Sequence, residues 1–421
     1  MAAAPFEALK KARVPALVGA ALVTSLVLVW WQLGEPHYFR MVLESPHSGK
    51  CERRLTRAAL QSSLELQTRF LRRHQRPEGN FNYEYDFSSK QLSSDDNQVR
   101  QAGALWGLTL AYGNEADVAL RSAELQGQIE RGLTFFREHS RLRKGRRCIA
   151  YPGAAEGSMG TVALVALAYI DYLRAAPPGL DEAALAQHRA ELDGHLRHLE
   201  RSLRKDGLWY GKYDIKTCSP KGEPSSYSDG EALLALVKAA KYLEYSSLEP
   251  ALLRAAEAGR RLNIDVALSQ DADSDITKGY YQWSSMAFYE LASSSIVGGA
   301  AYGDTVLRLA DWMIDEHDTL WRLRNTAYAY EGIIHAYALA QQRNDHARVA
   351  KYGCVIDVGM NRLLAWQVGG PLASGFANRG RDDPLALGGV QNEARDAALR
   401  IDVTQHQAHA TLLALRYVYT K

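Results

Sequence analysis

Six stretches rich in Ala, Leu and Gly recur along this chain, each following a more highly charged helical segment. They are GALWGLTLAYG from Gly103, GTVALVALAYI from Gly160, GEALLALVKAA from Gly230, MAFYELASS from Met286, YEGIIHAYALA from Tyr330 and AHATLLALRYV from Ala408. A helix that is apolar around most of its circumference has to be enclosed by others, whereas an amphipathic helix needs one covered face. The alternation therefore predicts two concentric layers, a helical barrel with the charged helices outside.

With 421 residues, 47% of them hydrophobic, the chain can bury a large core. Its 50 basic and 48 acidic side chains nearly cancel, so overall charge gives no case for nucleic acid or an anionic membrane surface. An acidic substrate would need a local cluster.

Val14 to Gly34 carries no charged side chain and is long enough to cross a bilayer as one helix. Lys10, Lys11 and Arg13 precede it, and Trp30 and Trp31 fall near its far end, which orients the N-terminus to the cytoplasm. The following WWQLGEPH lacks the small-x-small pattern of a cleavage site, so the span reads as an uncleaved anchor. The expected organisation is a cytoplasmic N-terminus over 1–13, a transmembrane anchor over 14–34, a juxtamembrane linker over 35–51 and a periplasmic or otherwise extracytoplasmic domain over 52–421. In such an oxidising compartment Cys51, Cys148, Cys218 and Cys354 can pair, with three connectivities open; free buried thiols are the plain alternative. No CxxC or paired Cys/His spacing points to structural zinc.

Apolar spacing, caps and breakers predict about twelve helices in six pairs. The first members run near Glu52–His74, Glu115–His139, Asp181–Arg204, Leu248–Ala267, Tyr302–His317 and Asp345–Leu364. The second members run near Asp96–Tyr112, Ser158–Arg174, Ser228–Tyr245, Tyr281–Ser294, Asn325–Gln342 and Val403–Tyr419. First members form the outer ring and second members the inner ring. The long loops into inner helices contain GNFNYEYDF, RRCIAYPG and GLWYGKYD, which look like short β-hairpins. Every inner helix would start at one end, so these loops would crowd one mouth.

Repeated hairpins together with YEYDF, DDNQVRQAG, SYSDGEALLAL, GYYQW and RIDVTQHQAHA resemble the six-hairpin glycosidase-like superfamily over about residues 52 to 421. The resemblance implies an all-α fold, an (α/α)6 toroid. It also implies carbohydrate chemistry without fixing the reaction, since such proteins include glycoside hydrolases, polysaccharide lyases and sugar epimerases, among them the helical domain of D-glucuronyl C5-epimerases. In a closed ring the first and last outer helices are neighbours, which favours a Cys51–Cys354 bridge; Cys148 and Cys218, in loops before adjacent inner helices, would form a second at the mouth.

Candidate catalytic groups are the acids at inner-helix starts, Asp96, Glu231, Glu331 and Asp402, with His406. Asp95 or Asp96 could cap the first inner helix, with Arg100 one turn on as a grip for a uronate or a hydroxyl pair. Ser228 could cap the third, placing Glu231 in its first turn beside an apolar run where a desolvated carboxyl can serve as an acid; Asp229 lies between them. Glu331, between Tyr330 and GIIHAYALA, needs a partner or solvent. Asp402 and His406 are spaced to share a helix face, either orienting an imidazole or tying the last helix to the first. Tyr83, Tyr85, Tyr227, Tyr281, Trp283, Tyr328 and Tyr330 could stack on sugar rings, though barrel packing would use the same aromatics. His406 and His409 lack a third metal ligand, and Asp271, Asp273 and Asp275 miss the glycine of a calcium loop, so no metal or cofactor is expected.

The expected function is an enzyme acting on an envelope or secreted polysaccharide by carboxylate acid/base chemistry, as a hydrolase or, on a uronate, a lyase or epimerase. The alternative is a noncatalytic component that holds a glycan or partner in an envelope assembly or export complex. An isoprenoid or peptide cyclase on a related barrel is disfavoured by the missing acid motifs.

Overall fold

A computed structural model describes residues 40, 41, 43–114 and 120–420. The expected span Val14–Gly34 lies outside them; among the described residues no helix is long and apolar enough to cross a membrane.

The outer helices are α1 (Arg57–His74), α3 (Ala123–Glu138), α5 (Glu182–Arg201), α7 (Glu249–Gly259), α9 (Tyr302–Asp315) and α11 (His346–Ala365). The inner helices are α2 (Gln98–Tyr112), α4 (Met159–Arg174), α6 (Ser226–Leu243), α8 (Asp275–Ala292), α10 (Ala327–Gln342) and α12 (Ile401–Tyr417). α7 runs on through a π-helical stretch, Arg260–Val266, to Gln270. Each inner helix contacts the next, and α12 packs on α2, so the ring is closed. Outer α1 sits against both α12 and α2. Burial follows the two layers: α4 is buried continuously from Met159 to Tyr172, while α1 buries one stripe that includes Leu60, Leu64 and Leu71.

Side-chain caps set several starts. Thr56, Asn97, Ser122, Asp181 and Asp345 each accept a backbone N–H of the following helix. The first inner helix is thus capped by Asn97 and not by Asp95 or Asp96. Helix α6 begins at Ser226, so Ser228 lies inside it and Glu231 falls in its second turn. Helix α8 begins at Asp275, six residues before the expected Tyr281, so Asp275 to Lys278 form its first turn.

Three small sheets decorate the mouth. β1 (Glu84–Asp86) pairs with β2 (Gln91–Leu92) and with β8 (Ala398–Arg400), joining the entry of α2 to the entry of α12. β3 (Ser140–Arg143) and β4 (Arg146–Ile149) form a hairpin. β6 (Lys212–Tyr213) lies between β5 (Gly157–Ser158) and β7 (Pro220–Lys221).

Two disulfides are present. Cys51 joins Cys354 of α11, across 303 residues, and Cys148 of β4 joins Cys218. One turn on from Cys354, the buried Asp357 carboxylate accepts the backbone N–H groups of Arg54 and Leu55, each at 3.0 Å to Oδ2, and the Tyr419 hydroxyl at 2.8 Å. It also pairs with Arg40 at 3.1 Å. Removing one member of a buried ionic cluster strands the others, at a cost of about 3–5 kcal/mol. Asp357→Ala should lose about that much in urea unfolding, with both disulfides intact; a loss below about 1 kcal/mol would mean that Asp357 does not hold the ring shut.

Candidate active site

The N-terminal ends of the inner helices surround a cavity of about 370 Å³. α2 contributes Arg100, α6 Tyr227 and Glu231, α8 Gln282 and Trp283, and α12 Asp402 and His406. A second lobe of about 260 Å³ shares Tyr227, Gln282, Asp402 and His406 and adds Lys278, Tyr328 and Arg400. On the other side a trench of about 690 Å³ shares Ser158, Ser225 and Ser228 and runs along the β5–β6–β7 sheet. The two lobes and the trench adjoin, each sharing lining residues with the first cavity.

Glu231 is 3% exposed and its Oε2 has no hydrogen-bond partner. Space for it comes from α4, where a Cβ on Gly160 would stand 2.1 Å from Oε2. Burial pushes its carboxyl from 4.5 up to about 8, opposed only by the charge of His406. Glu231 is therefore protonated at neutral pH, a carboxylic acid on a cavity wall.

Glu331 on α10 is equally buried and behaves oppositely. Its Oε1 lies 3.3 Å from Nδ1 of His406 and 3.1 Å from Nδ1 of His409, and Gln282 Nε2 donates to its Oε2. Burial alone would raise its pKa, but the two imidazoles outweigh burial and hold it at about 2. The same pairing acts on His406: burial would lower the pKa of the ring, and Glu331 raises it above 6.5. Glu331 can only accept and so favours N–H at His406 Nδ1, against Gln282 Nε2, which stands 2.9 Å from the same nitrogen; with N–H at Nδ1, Nε2 is the ring nitrogen that keeps a lone pair. The imidazole is thus oriented by Glu331, 75 residues away in sequence, and not by Asp402, its neighbour one turn earlier.

Asp402 takes the other reading. Arg400 binds it through two hydrogen bonds at 3.0 and 2.9 Å, and Arg100 of α2 reaches it at 3.0 Å, tying the last inner helix to the first. Tyr83 accepts a hydrogen bond from Arg100 and lies under its guanidinium, 5.6 Å from ring centroid to carbon. Arg100 remains half-exposed on the cavity.

Other sequence candidates fall elsewhere. Asp96 is outside the cavity lining: its two oxygens accept from Gln101 at 2.7 Å and from Tyr151 at 2.6 Å. Tyr85 donates to Asp383 at 2.6 Å, away from the cavity. Tyr281 and Tyr330 are wholly buried wall residues, seated where Gly332 and Gly359 leave room for their rings. Asp229 faces the outer ring, accepting from Trp209 N at 2.8 Å and Asn263 at 3.2 Å. Of the aromatics, Tyr227, Trp283 and Tyr328 line the cleft. Sequence reasoning passed over Gly160, for which no local signal exists, and Lys278, one helical turn before Gln282 on the same face. Among the described residues no His, Cys, Asp or Glu group could hold a metal ion.

These features define the class of fold, an (α/α)6 toroid of six helical hairpins. No protein family model matches the sequence, and no curated protein matches it. Solved structures do. A cellobiose 2-epimerase from Bacillus thermoamylovorans matches with a TM-score of 0.61 at 12% identity, covering 86% of this chain and 99% of that one. A D-mannose isomerase gives 0.57 at 13%, covering 84% and 97%. A GH76 α-mannanase from Bacteroides thetaiotaomicron gives 0.56 at 10%, covering 86% and 95%. At such identities the likeness is one of fold.

The two glutamates predict opposite pH responses. Glu231 binds its proton more tightly folded than unfolded, so its contribution to stability is full below 4.5 and is lost as pH rises through about 8. Glu331 contributes above 4.5 and loses that contribution as pH falls through about 2. Thermal melts should show Glu231→Gln matching or exceeding the wild type at pH of about 9, and Glu331→Gln destabilised at neutral pH. A wild-type-like melt for Glu331→Gln at neutral pH would contradict the ionised state assigned to it.

Proposed function

We propose that this protein is a carbohydrate-active enzyme that moves protons on a polymeric glycan lying in the mouth cleft, with Glu231 as acid and His406 Nε2 as base. One observation carries the reading: a buried, unpartnered, protonated carboxyl and a carboxylate-backed imidazole line the same cavity. Two groups whose environments push their proton affinities in different ways form an acid–base pair. The adjoining cavity, lobe and trench together offer more room than one sugar ring needs, which supports a chain as substrate. Tyr227 and Trp283 offer apolar faces for sugar rings, and Arg100 and Lys278 offer charge for a carboxylate. The neighbours fit this reading: one is an α-1,6-mannanase variant in complex with α-1,6-mannotetrose.

Proton transfer at a sugar carbon, as in a lyase or epimerase, is favoured over hydrolysis. Asp402 is already held by two arginines, so the cavity offers one unengaged carboxyl and one imidazole instead of two free carboxylates. Hydrolysis remains a second reading because Asp402 and Glu231 do line one cavity. The charge-free Val14–Gly34 segment and the two disulfides suit a membrane-anchored domain outside the cytoplasm.

The test is turnover on a panel of neutral and uronate polysaccharides, read as new reducing ends, as unsaturated uronate, and as solvent deuterium entering the sugar. Glu231→Gln and His406→Gln should each lose at least about 100-fold in kcat while retaining glycan binding. In the wild type, kcat/KM should fall on the alkaline side near pH 8 as Glu231 ionises, and on the acid side as His406 gains a proton. Undiminished binding with no turnover on any substrate would instead assign the cleft to a glycan-holding component.

A further inference from the structure

The polar side chains buried along α12 find partners within the protein, with one exception. Asp402 is held by Arg400 and Arg100, and Thr404 Oγ1 accepts the backbone N–H of Val390 at 3.1 Å. Gln407 donates to the carbonyl of Leu363 at 3.0 Å and accepts from Asn325 at 3.1 Å. His409 meets Glu331, and Thr411 donates to the carbonyl of Gln407 at 2.7 Å. Among the described residues of this helix Gln405 stands apart: it is 1% exposed, and its Nε2 has no hydrogen-bond partner. Buried polar groups are normally paired, because an unpaired one gives up its hydration for nothing. At the opposite end of the barrel nothing comparable is left over. A cavity of about 190 Å³ lies there among the C-terminal halves of the inner helices, and its two carboxylates are engaged. Lys238 and Arg174 hold Asp171 at 2.6 and 2.9 Å, while Lys241 and Tyr242 each hold Glu290 at 2.7 Å.

The Gln405 side chain lies across two glycines of α2. A Cβ on Gly107 would stand 2.6 Å from its Cγ, and one on Gly103 would stand 3.5 Å from its Oε1. The stem thus crosses the deeper glycine and the amide lies over the one nearer the mouth, where Gln405 and Gly103 both line the cavity of about 370 Å³. Arg100 comes one helical turn before Gly103, and Asp402 one turn before Gln405. The ion pair Arg100–Asp402 therefore forms a charged rim, with an uncharged amide one turn below it. Glu231 of α6 is seated in the same way over Gly160 of α4. Two polar groups without partners, each in a glycine notch of the neighbouring inner helix, line one cavity.

We propose that Gln405 is a substrate-binding residue that selects an uncharged, hydroxyl-bearing edge of the sugar ring at the floor of the mouth cavity. The inference rests on the cleft being a glycan site. A hydroxyl fits because it can accept from the amide N–H or donate to the amide oxygen, and a half-turn about the last bond of the side chain exchanges the two ends. A carboxylate can only accept, and it meets Arg100 first, one turn nearer the mouth. Trp283, on the same cavity, gives the apolar face of the ring a wall. A ring that lacks the hydroxyl is rejected because the amide then stays unpaired in the complex.

The test uses the full-length protein bearing Gln405→Leu or Gln405→Met. The probes are oligosaccharides cut from the neutral and uronate polysaccharides of the panel above, together with their singly deoxygenated forms. Both variants should melt about 1–3 °C above the wild type, because an apolar side chain in the same notch needs no partner. Gln407→Leu, which strands the Leu363 carbonyl and Asn325, should melt below it. Both Gln405 variants should bind the oligosaccharide that the wild type binds about 10–100-fold more weakly. Removing one particular hydroxyl should weaken binding to the wild type by a similar factor and have little further effect on the variants. Gln405 variants that melt no higher than the wild type, an unchanged affinity, or the absence of any hydroxyl coupled to Gln405 would each overturn the inference. If Glu231→Gln and His406→Gln lose turnover while the Gln405 variants bind as the wild type does, only the role of Gln405 falls. If those two retain turnover and the Gln405 variants bind weakly, the acid–base reading falls and the role of Gln405 stands.

Discussion

Everything in this structure depends on the ring being shut, and a single buried carboxylate does much of that work. Asp357 accepts from the chain entering α1 and from Tyr419 just beyond α12, while sitting on the last outer helix. Three parts of the chain far apart in sequence thereby meet at one charge, with the Cys51–Cys354 bond on the same helix one turn earlier. Such a cluster adds less net stability than its bonds suggest, since desolvation offsets them, but it fixes which elements are neighbours. With α1 wedged against α12 and α2, the inner helices have no edge through which water reaches their apolar sides. Solvent then enters at the ends, where the cavities lie.

A closed inner ring makes the fate of a carboxyl depend on partners alone. Glu231 and Glu331 begin from the same chemistry and nearly the same burial. Two imidazoles and an amide keep Glu331 ionised, while Glu231 has only the space left by Gly160 and stays protonated. Their divergence is larger than either group would show at a surface, because the low local dielectric magnifies both the desolvation cost and the pair attraction. A protonated carboxyl and a carboxylate-backed imidazole then line one cavity at neutral pH.

Much of the fold was legible in the sequence because helix period and enclosure are local signals: an apolar run such as that of α4 can hardly be anything but an inner helix. Less of the site was. The spacing of Asp402 and His406 correctly put them on one helix face, yet contact across the ring decided their partners, so Asp402 went to Arg100 and His406 to Glu331. Tyr281 and Tyr330 carry the same composition signal as Tyr227, and a glycine on an adjoining helix makes room for all three rings; what separates them is depth, since Tyr227 is 53% exposed and the other two are buried. The capping of α2 by Asn97 was missed because Asp and Asn cap helices with similar ease, so sequence ranks them poorly.

The placement of the chemistry at this mouth has an electrostatic reason beyond loop crowding. Inner helices beginning around one opening direct the positive ends of their dipoles toward it, which favours negative charge there. Arg100, Arg400 and Lys278 add to that field in the inner lobes, and Lys212 and Lys221 add to it along the trench. Asp402 neutralises part of it, and Glu156, held by Lys212 at 2.8 Å and Lys221 at 2.7 Å, another part. Glu231 stays neutral despite the field because burial outweighs it, so the field remains available to whatever enters. Under the function proposed above, a uronate carboxylate would meet an attractive opening with a neutral carboxyl at its floor, whereas a neutral glycan would gain nothing from the field.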